Sequence, residues 1–341
     1  MYVGIDVHKR FCYATMLDEK GNKMDELRFL STEDGFDELI DRVEGNSRMV
    51  VEASSVSMPI YDYLDESGFD VVVAHPLKVK AIADAKIKTD KIDSRILADL
   101  LRADLIPESY VPNKNIRDMR ALVSHRVSLV RQRTGIKNRI HAVLAREGVQ
   151  SHYSDLFGKG GRKLLESINL RDSNRMIVDQ DLELIDEVNR RIETTETELA
   201  IMAKDSPWME ILQSAPGIGL TSAIVLASEI GDLDRFQSPE KLCSYAGLVP
   251  RVYQSGNTLR HGKITKQGRS LMRWILVQAA HKAVKSPGRM RDVYLKLEKK
   301  KGKKIAIVAV ARKLLVSIFW MLKRNTYYQA YGTAMRVSNF H

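Results

Sequence analysis

The 341-residue sequence predicts an α/β N-terminal domain followed by a mainly helical remainder. Three observations carry that expectation. Short β-forming runs alternate with helical patterns as far as about residue 112. The β signal then stops at Asn113, and longer helical periodicities take over. The third observation is charge: 54 Lys and Arg oppose 43 Asp and Glu, a net +11. A basic surplus of that size favours a polyanionic partner, either nucleic acid or an anionic membrane.

In order along the chain, "MYVGIDV" and "FCYATML" read as strands, and the turn "DEKGNK" leads to a third, "MDELRFL". "TEDGFDELIDRV" is helical, and "RMVVEAS" is an apolar strand that ends in Glu52. A helix over Pro59 to Ser67 and the strand "FDVVVAHP" follow. "KIKTDKIDSRILADLLR" (86–102) then turns helical, with Ile92, Ile96, Leu97 and Leu100 on one stripe. Three strands joined by tight turns, then alternating helices and strands, predict a mixed sheet covered by helices.

Residues 114–147 read as one long helix with apolar positions at Met119, Val123, Val127, Val130, Ile140 and Leu144. Nine Lys or Arg between 114 and 146 face a single acid, Asp118. "FGKGGRK" (157–163) reads as a flexible break. Within 178–204, Ile185, Val188, Ile192, Thr195, Leu199 and Met202 alternate spacings of three and four. That stripe suits a coiled-coil segment offering a subunit contact and one helix of a bundle equally well. From near Pro207 the pattern is mainly helical, with an irregular, loop-rich piece from Tyr245 to Gly268 and a basic run, "RMRDVYLKLEKKKGKK". From about Thr326 little pattern remains. The expected division is 1–112, 113–205 and 206–341.

Two cysteines, Cys12 and Cys243, make no disulfide framework and no CxxC cluster. The N-terminus lacks a signal-peptide pattern. "IAIVAVARKLLVSIFWML" (305–322) carries Arg312 and Lys313 at its middle. Each would cost roughly 2.5–3.5 kcal/mol in a bilayer. It reads as a buried or amphipathic helix, so the expectation is a cytoplasmic protein without a membrane partner.

The acids carry the chemistry. Asp6 follows the apolar run of the first strand, and Glu52 closes another. An acid in such a strand is disfavoured by propensity and costly to bury. Rule-breaking of that kind is expected at functional sites. Asp90 and Asp93, three apart, project from one face of a helix. Taken alone, that pair reads more plainly as a helix cap or as surface partners of Lys88, Lys91 and Arg95. Taken with Asp6 and Glu52, it offers the oxygen donors that Mg²⁺ uses. A two-metal site would hold ions roughly 3.5–4 Å apart, one on the attacking oxygen and one on the leaving oxygen.

"SAPGIGLTSAIVLASEIG" resembles a helix-hairpin-helix around the turn Pro216-Gly217-Ile218-Gly219. Gly217 and Gly219 are candidate contacts to a nucleic-acid backbone, since glycine lets amides approach a phosphate. A compact packing turn is the alternative. In the basic loop "RVYQSGNTLRHGKITKQG", Ser255 precedes Gly256 at a natural turn position. A serine hydroxyl needs a base or metal to become a nucleophile. His261 is near in sequence, which does not fix its place in space. Lys263, Lys266, Arg269 and Arg273 suit phosphate contacts or a solvated face.

The motifs "GIDVHK", "VVEAS", "KTDKIDSRILADLL", "RTGIKNRIHAVL", "APGIGLTSAIVLASEIGDLDRF" and "YAGLVPRVYQSG", in this order, span most of the chain. Together they resemble the DEDD-type transposases of bacterial insertion sequences, also called bridge-RNA-guided recombinases. The resemblance implies a RuvC-like (RNase H-like) N-terminal domain and Mg²⁺, two ions, held by Asp6, Glu52, Asp90 and Asp93. It implies that Ser255 is a nucleophile forming a phosphoserine link to DNA; Ser244 and Ser270 are weaker candidates. It further implies a structured guide RNA that pairs with donor and target DNA. The implied assembly is a dimer or tetramer in which the serine domain of one subunit completes the acidic site of another. A RuvC-type junction nuclease using water and a non-catalytic nucleic-acid-binding protein are the rival readings.

Overall fold

Alternating side chains organise the first sheet. In the computed structural model, which describes residues 1–83, 89–255 and 258–330, the strands are β1 (Tyr2–Val7), β2 (Phe11–Leu17), β3 (Lys23–Leu30), β4 (Arg48–Glu52) and β5 (Asp70–Ala74). Their order is β3-β2-β1-β4-β5. β1 is central, antiparallel to β2 and parallel to β4. The helices of this unit are α1 (Glu33–Ile40), α2 (Met58–Glu66), α3 (Pro76–Ile82) and α4 (Asp90–Arg102). Lys86, Ile87 and Lys88 of the "KIKTD" motif lie outside the described residues.

The two faces of β1 meet different partners. Val3, Ile5 and Val7 join a core with Phe36 and Leu39 of α1 and Ile60 and Leu64 of α2. Gly4 lies against α4 instead. β4 divides likewise: Met49 and Val51 enter the first core, while Val50 enters a second with Val79, Leu97, Leu100 and Leu101. The result is a helix–sheet–helix sandwich, the mixed sheet that the strand pattern predicts. α1 and α4 begin at threonine caps, where Thr32 Oγ1 accepts from the Gly35 N–H and Thr89 Oγ1 from the Ile92 N–H.

The chain divides into two compact units, Met1–Val111 and a second from Pro112 onward. The second contains α5 (Lys114–Arg146), α6 (Lys159–Ser167), α7 (Asp172–Ala203), α8 (Trp208–Gln213), α9 (Leu220–Ile230) and α10 (Pro239–Tyr245). The hairpin β6 (Pro250–Ser255) and β7 (Thr258–Ile264) follows, then α11 (Ser270–Ala283), α12 (Arg289–Lys301) and α13 (Lys303–Arg324).

α5 and α7 pair antiparallel. Arg126 meets Glu196, Arg133 meets Asn189, and Arg139 meets Asp181, so one number rises as the other falls. Between them Leu129, Ile136, Ile140, Val178, Leu182, Ile185, Val188 and Ile192 form a core. The apolar stripe of α7 therefore packs against α5 of the same chain.

Two segments are more regular than their sequences suggest. The Gly-rich stretch after Phe157 contains α6, where a Cβ on Gly161 would lie 2.2 Å from the Leu156 carbonyl oxygen. The glycines there allow close approach of the chain, and Leu165 is buried. The piece from Tyr245 to Gly268, expected to be irregular, holds the β6–β7 hairpin. Its strands carry few apolar residues, so they lack the alternation that reveals a half-buried strand.

Helix α13 is long and apolar enough to cross a membrane by length and composition alone. Its Ala306, Ile307, Val310, Leu314, Leu315 and Ile318 are buried in the C-terminal core with α8, α9 and α11. It is a core helix.

Candidate active site

Asp6 is the penultimate residue of β1, and Glu52 is the last of β4. Ile5 pairs with Val51 across these parallel strands, so the two acids follow at adjacent positions at their carboxyl ends. Ends of parallel strands are where sheets of this kind bind ligands. α4 begins at Asp90, with Asp93 one turn on and Thr89 as its cap, so neither aspartate is needed for that duty. The sequence leaves open whether the aspartates are caps; the structure gives the capping to Thr89.

What brings α4 onto β1 is the absence of a side chain. A Cβ on Gly4 would sit 2.1 Å from the Ser94 carbonyl oxygen and 2.4 Å from the Ala98 nitrogen. Buried hydroxyls fix the same contact, because Thr15 Oγ1 of β2 and Ser94 Oγ share a hydrogen bond of 2.7 Å. Gly4, Thr15 and Ser94 are positioning residues that sequence reasoning missed. Gly4 precedes Asp6 by two on a strand and so shares its face, the one signal available.

His8 was also missed. Its Nε2 lies 3.2 Å from Asp6 Oδ2 and 3.0 Å from Asp90 Oδ1. One ligand atom from each of Asp6, His8 and Asp90 lies within 4.8 Å of the others. Burial pushes the Asp6 carboxyl above its usual range; His8 opposes that shift, and the charges of Asp90 and Asp93 add to it. Burial pulls the His8 imidazolium down, but hydrogen bonding and charge from Asp90 and Asp6 outweigh it and hold the pKa above the ordinary value.

The Nε2 atom is shielded from solvent and held between the two carboxylates at ion-pair distance. Acids gathered around one imidazole form a donor set that fits a divalent cation once His8 gives up its proton or turns aside. Carboxylate oxygens suit Mg²⁺ or Mn²⁺, and an imidazole suits several transition ions. Glu52 is half-buried one position beyond the paired residues and has an interaction of its own.

The second unit holds the remaining candidates. Ser255 closes β6 with its backbone paired to Thr258; its side chain and Gly256 lie outside the described residues. Ser244 is exposed on α10, and Ser270 is exposed at the first position of α11. Lys263 and Lys266 are exposed. Arg269 and Arg273 are held internally. Arg269 Nε lies 2.5 Å from Glu229 Oε2, and Arg273 donates to the Ala246 carbonyl at 2.8 Å.

In the turn joining α8 to α9, Gly217 has φ +80°, and a Cβ there would lie 2.7 Å from Lys282 Cβ and 2.8 Å from the Ala279 carbonyl oxygen of α11. Gly217 is thus needed for packing. Gly219 caps α9 and faces open space. Much of the positive charge of α5 is likewise engaged. Arg126 and Arg139 pair with acids of α7, and Arg120 donates to the Ser228 and Glu229 carbonyls at 2.7 and 3.0 Å.

Comparison with known proteins bears on this arrangement. Residues 3–147 match a family model of the DEDD type described as transposase, and residues 209–295 match the transposase IS116/IS110/IS902 family. The transposase for insertion sequence element IS1111A of Coxiella burnetii is 26% identical over 82% of this chain and 79% of its own length. The pilin gene-inverting protein of Moraxella lacunata is 26% identical over 95% of this chain and 96% of its own. The alignment with the y4qE transposase of Sinorhizobium fredii, 27% identical, spans 67% of this chain and 56% of that relative.

An RNase H-like α/β domain with acids at its strand ends, joined to a helical unit, defines an enzyme of DNA transposition and recombination. DNA is its partner, and a divalent metal suits its acidic set. The chain belongs to the IS110 family of insertion-sequence transposases.

Proposed function

We propose that this transposase is an RNA-guided, site-specific recombinase that moves an insertion sequence in the cytoplasm. On this reading Asp6, Glu52, Asp90 and Asp93 hold Mg²⁺, two ions, and Ser255 is the nucleophile. The observation that carries the metal assignment is the meeting of Asp6 and Asp90 around His8 at the carboxyl end of β1. Bound Mg²⁺ would supply Lewis-acid stabilisation of charge on phosphate oxygens.

The chain's own residues do the rest. Asp6 and Glu52, on adjacent strands, and Asp90 and Asp93, on a helix clamped to β1 through Gly4, form a rigid oxygen-donor set. His8 must release its hold on Asp6 and Asp90 for them to serve as ligands, so its proton leaves or its ring turns aside. Ser255 Oγ forms a bond to the scissile phosphorus as the bond to a deoxyribose oxygen breaks. The serine proton passes to solvent or a base, and the leaving oxygen gains one. Attack of a deoxyribose hydroxyl on the phosphoserine reverses the exchange, so rejoining needs no ATP. The serine comes from another subunit of a dimer or tetramer. A structured RNA selects donor and target DNA by pairing.

The test uses the full-length protein with its co-purified RNA, DNA carrying the element ends, and Mg²⁺, resolved on a denaturing gel. A protein–DNA adduct that Ser255→Ala abolishes supports the serine assignment. Cleavage that survives Ser255→Ala, with no adduct, establishes the water-using nuclease instead. Full activity of Asp93→Ala removes Asp93 from the metal set, and the absence of a specific RNA removes the guide.

A further inference from the structure

A basic, aromatic cleft lies at the end of α13, away from Ser255 in sequence. Helix α13 ends at Arg324, and Asn325 takes the left-handed conformation, φ 50° and ψ 56°. The Thr326 N–H donates back to the Met321 carbonyl at 2.9 Å, which turns the chain on itself. The returning segment is pinned: Tyr327 Oη donates to Glu210 at 2.9 Å, and the Tyr328 N–H donates to Ser214 Oγ at 2.8 Å. The Arg289 N–H donates to the Ala330 carbonyl at 3.3 Å, closing the segment against the start of α12.

These contacts enclose a cleft of 380 Å³ whose walls include Trp320, Tyr327 and Tyr328 together with Arg289, Lys313 and Arg324. Among the described residues, no Asp or Glu lines it. Trp320 is 41% exposed, although it is the largest apolar side chain on that surface of the helix. The Arg324 guanidinium lies 4.7 Å from its ring centroid. An arginine over a surface tryptophan is often no more than decoration. Here, however, three cations share one lining that, among the described residues, includes no acid, beside aromatic rings of which Tyr327 is held by its hydroxyl on Glu210. An anion with a flat, stackable body satisfies both features.

We propose that this cleft binds an unpaired nucleotide, its base stacked on Trp320 and its phosphate held by Arg289, Arg324 and Lys313. Aromatic platforms beside basic grooves are how single strands are held without sequence readout. The cleft takes one base with its phosphate from either a DNA or an RNA single strand. The proposal rests only on the chain's being a DNA-recombining enzyme. It is independent of the metal and serine assignments, and so is its test.

The test measures fluorescence anisotropy of labelled oligo-dT, oligo-rU and a random DNA duplex with the full-length protein in EDTA. Trp320→Ala is expected to weaken single-strand binding on the order of tenfold, the range that loss of a stacking platform produces. Trp320→Phe should restore most of it. Duplex binding should stay within about twofold. Loss with dT, with rU or with both supports the site and names its source. Unchanged binding of both single strands, or equal loss for the duplex, overturns it. Should Trp320→Ala fail to fold, Arg289→Gln with Arg324→Gln, both at exposed positions, is measured instead against the same outcomes.

Discussion

Gly4 of β1 lies so close to Ser94 of α4 that a Cβ on it would stand 2.1 Å from the Ser94 carbonyl oxygen. The obstacle is helix backbone, which cannot rotate away as a long side chain would. Gly4→Ala should therefore destabilise the N-terminal unit by about 1–3 kcal/mol or more. It should also displace Asp90 and Asp93 from Asp6 and lower transposition even where the protein still folds. Urea unfolding and a transposition assay check this; an unchanged midpoint with full activity would refute the clamp.

The hydroxyls of Thr15 and Ser94 face each other in a buried contact of 2.7 Å. Removing Ser94 Oγ leaves the buried Thr15 hydroxyl without this partner, at a cost of about 1–3 kcal/mol. Removing the Thr15 hydroxyl costs less, because Ser94 Oγ also donates to the Lys91 carbonyl at 3.1 Å. Ser94→Ala and Thr15→Val should each destabilise, and the double variant should lose less than the two losses added together. Additive losses in the double-mutant cycle would show that the hydroxyls are independent.

Asp6 is half-buried beside two further acids, and its pKa is raised chiefly by desolvation. Asp6→Asn removes the charge while keeping the shape. In EDTA at neutral pH the variant should unfold at a higher temperature than the parent. With millimolar Mg²⁺ or Mn²⁺ the parent should gain stability, because a ligand bound only by the folded state stabilises it. The variant should gain none. Equal metal-dependent shifts in both proteins would remove Asp6 from the metal set.

Arg269 and Lys263 should part company experimentally. Glu229 is buried and its carboxylate meets Arg269 at 2.5 Å, so Arg269→Ala should lower stability by about 1–3 kcal/mol. Glu229→Gln in the same chain should recover part of that loss. Exposed Lys263, if it meets a phosphate, should leave stability unchanged on mutation to Ala. It should instead reduce the slope of log Kobs against log salt for duplex DNA by about 1. A slope change with Arg269→Ala and none with Lys263→Ala would invert this assignment.

Burial raises the Cys243 thiol to about 11, with the nearby Arg312 opposing the shift. Cys12 is buried and raised in the same direction, mainly by desolvation. Native protein at pH 8 should therefore resist alkylation at both sites and react only on unfolding, because the thiolate is the nucleophile. The folded state keeps the Cys243 proton at a pH where the unfolded chain has lost it. Its contribution to stability is thus present below pH 9 and falls as pH rises from about 9 to about 11. Mass-spectrometric labelling against pH checks both statements, and rapid native labelling at pH 8 would contradict them.

Residues with local reasons for their behaviour were legible in the sequence. The five strands of the first sheet and the long helices announced themselves through period-2 and helical spacing. Asp6 and Glu52 stood out because acids at the ends of apolar strands break a local rule. The β6–β7 hairpin did not, since it has little apolar face to pattern, and α6 was hidden by two glycines, of which Gly161 is required by the packing at Leu156. His8, Thr15 and Ser94 are ordinary residues in sequence, and they matter only through partners brought near by the fold. The basic surplus was plain, but its allotment was not. Arg120, Arg126, Arg139, Arg269 and Arg273 turn inward to carbonyls and acids, while Lys263 and Lys266 stay in solvent.

By itself, the sequence determined the α/β-then-helical order, the basic character and the four acids in question, because propensity, periodicity and composition are local properties. Only the tertiary structure decided that Asp6 and Glu52 sit at adjacent strand ends, that α4 meets β1 through a bare glycine, and that His8 stands between two of the acids. Those are distances between residues far apart in the chain, and they are set by packing and strand register, which no local pattern encodes.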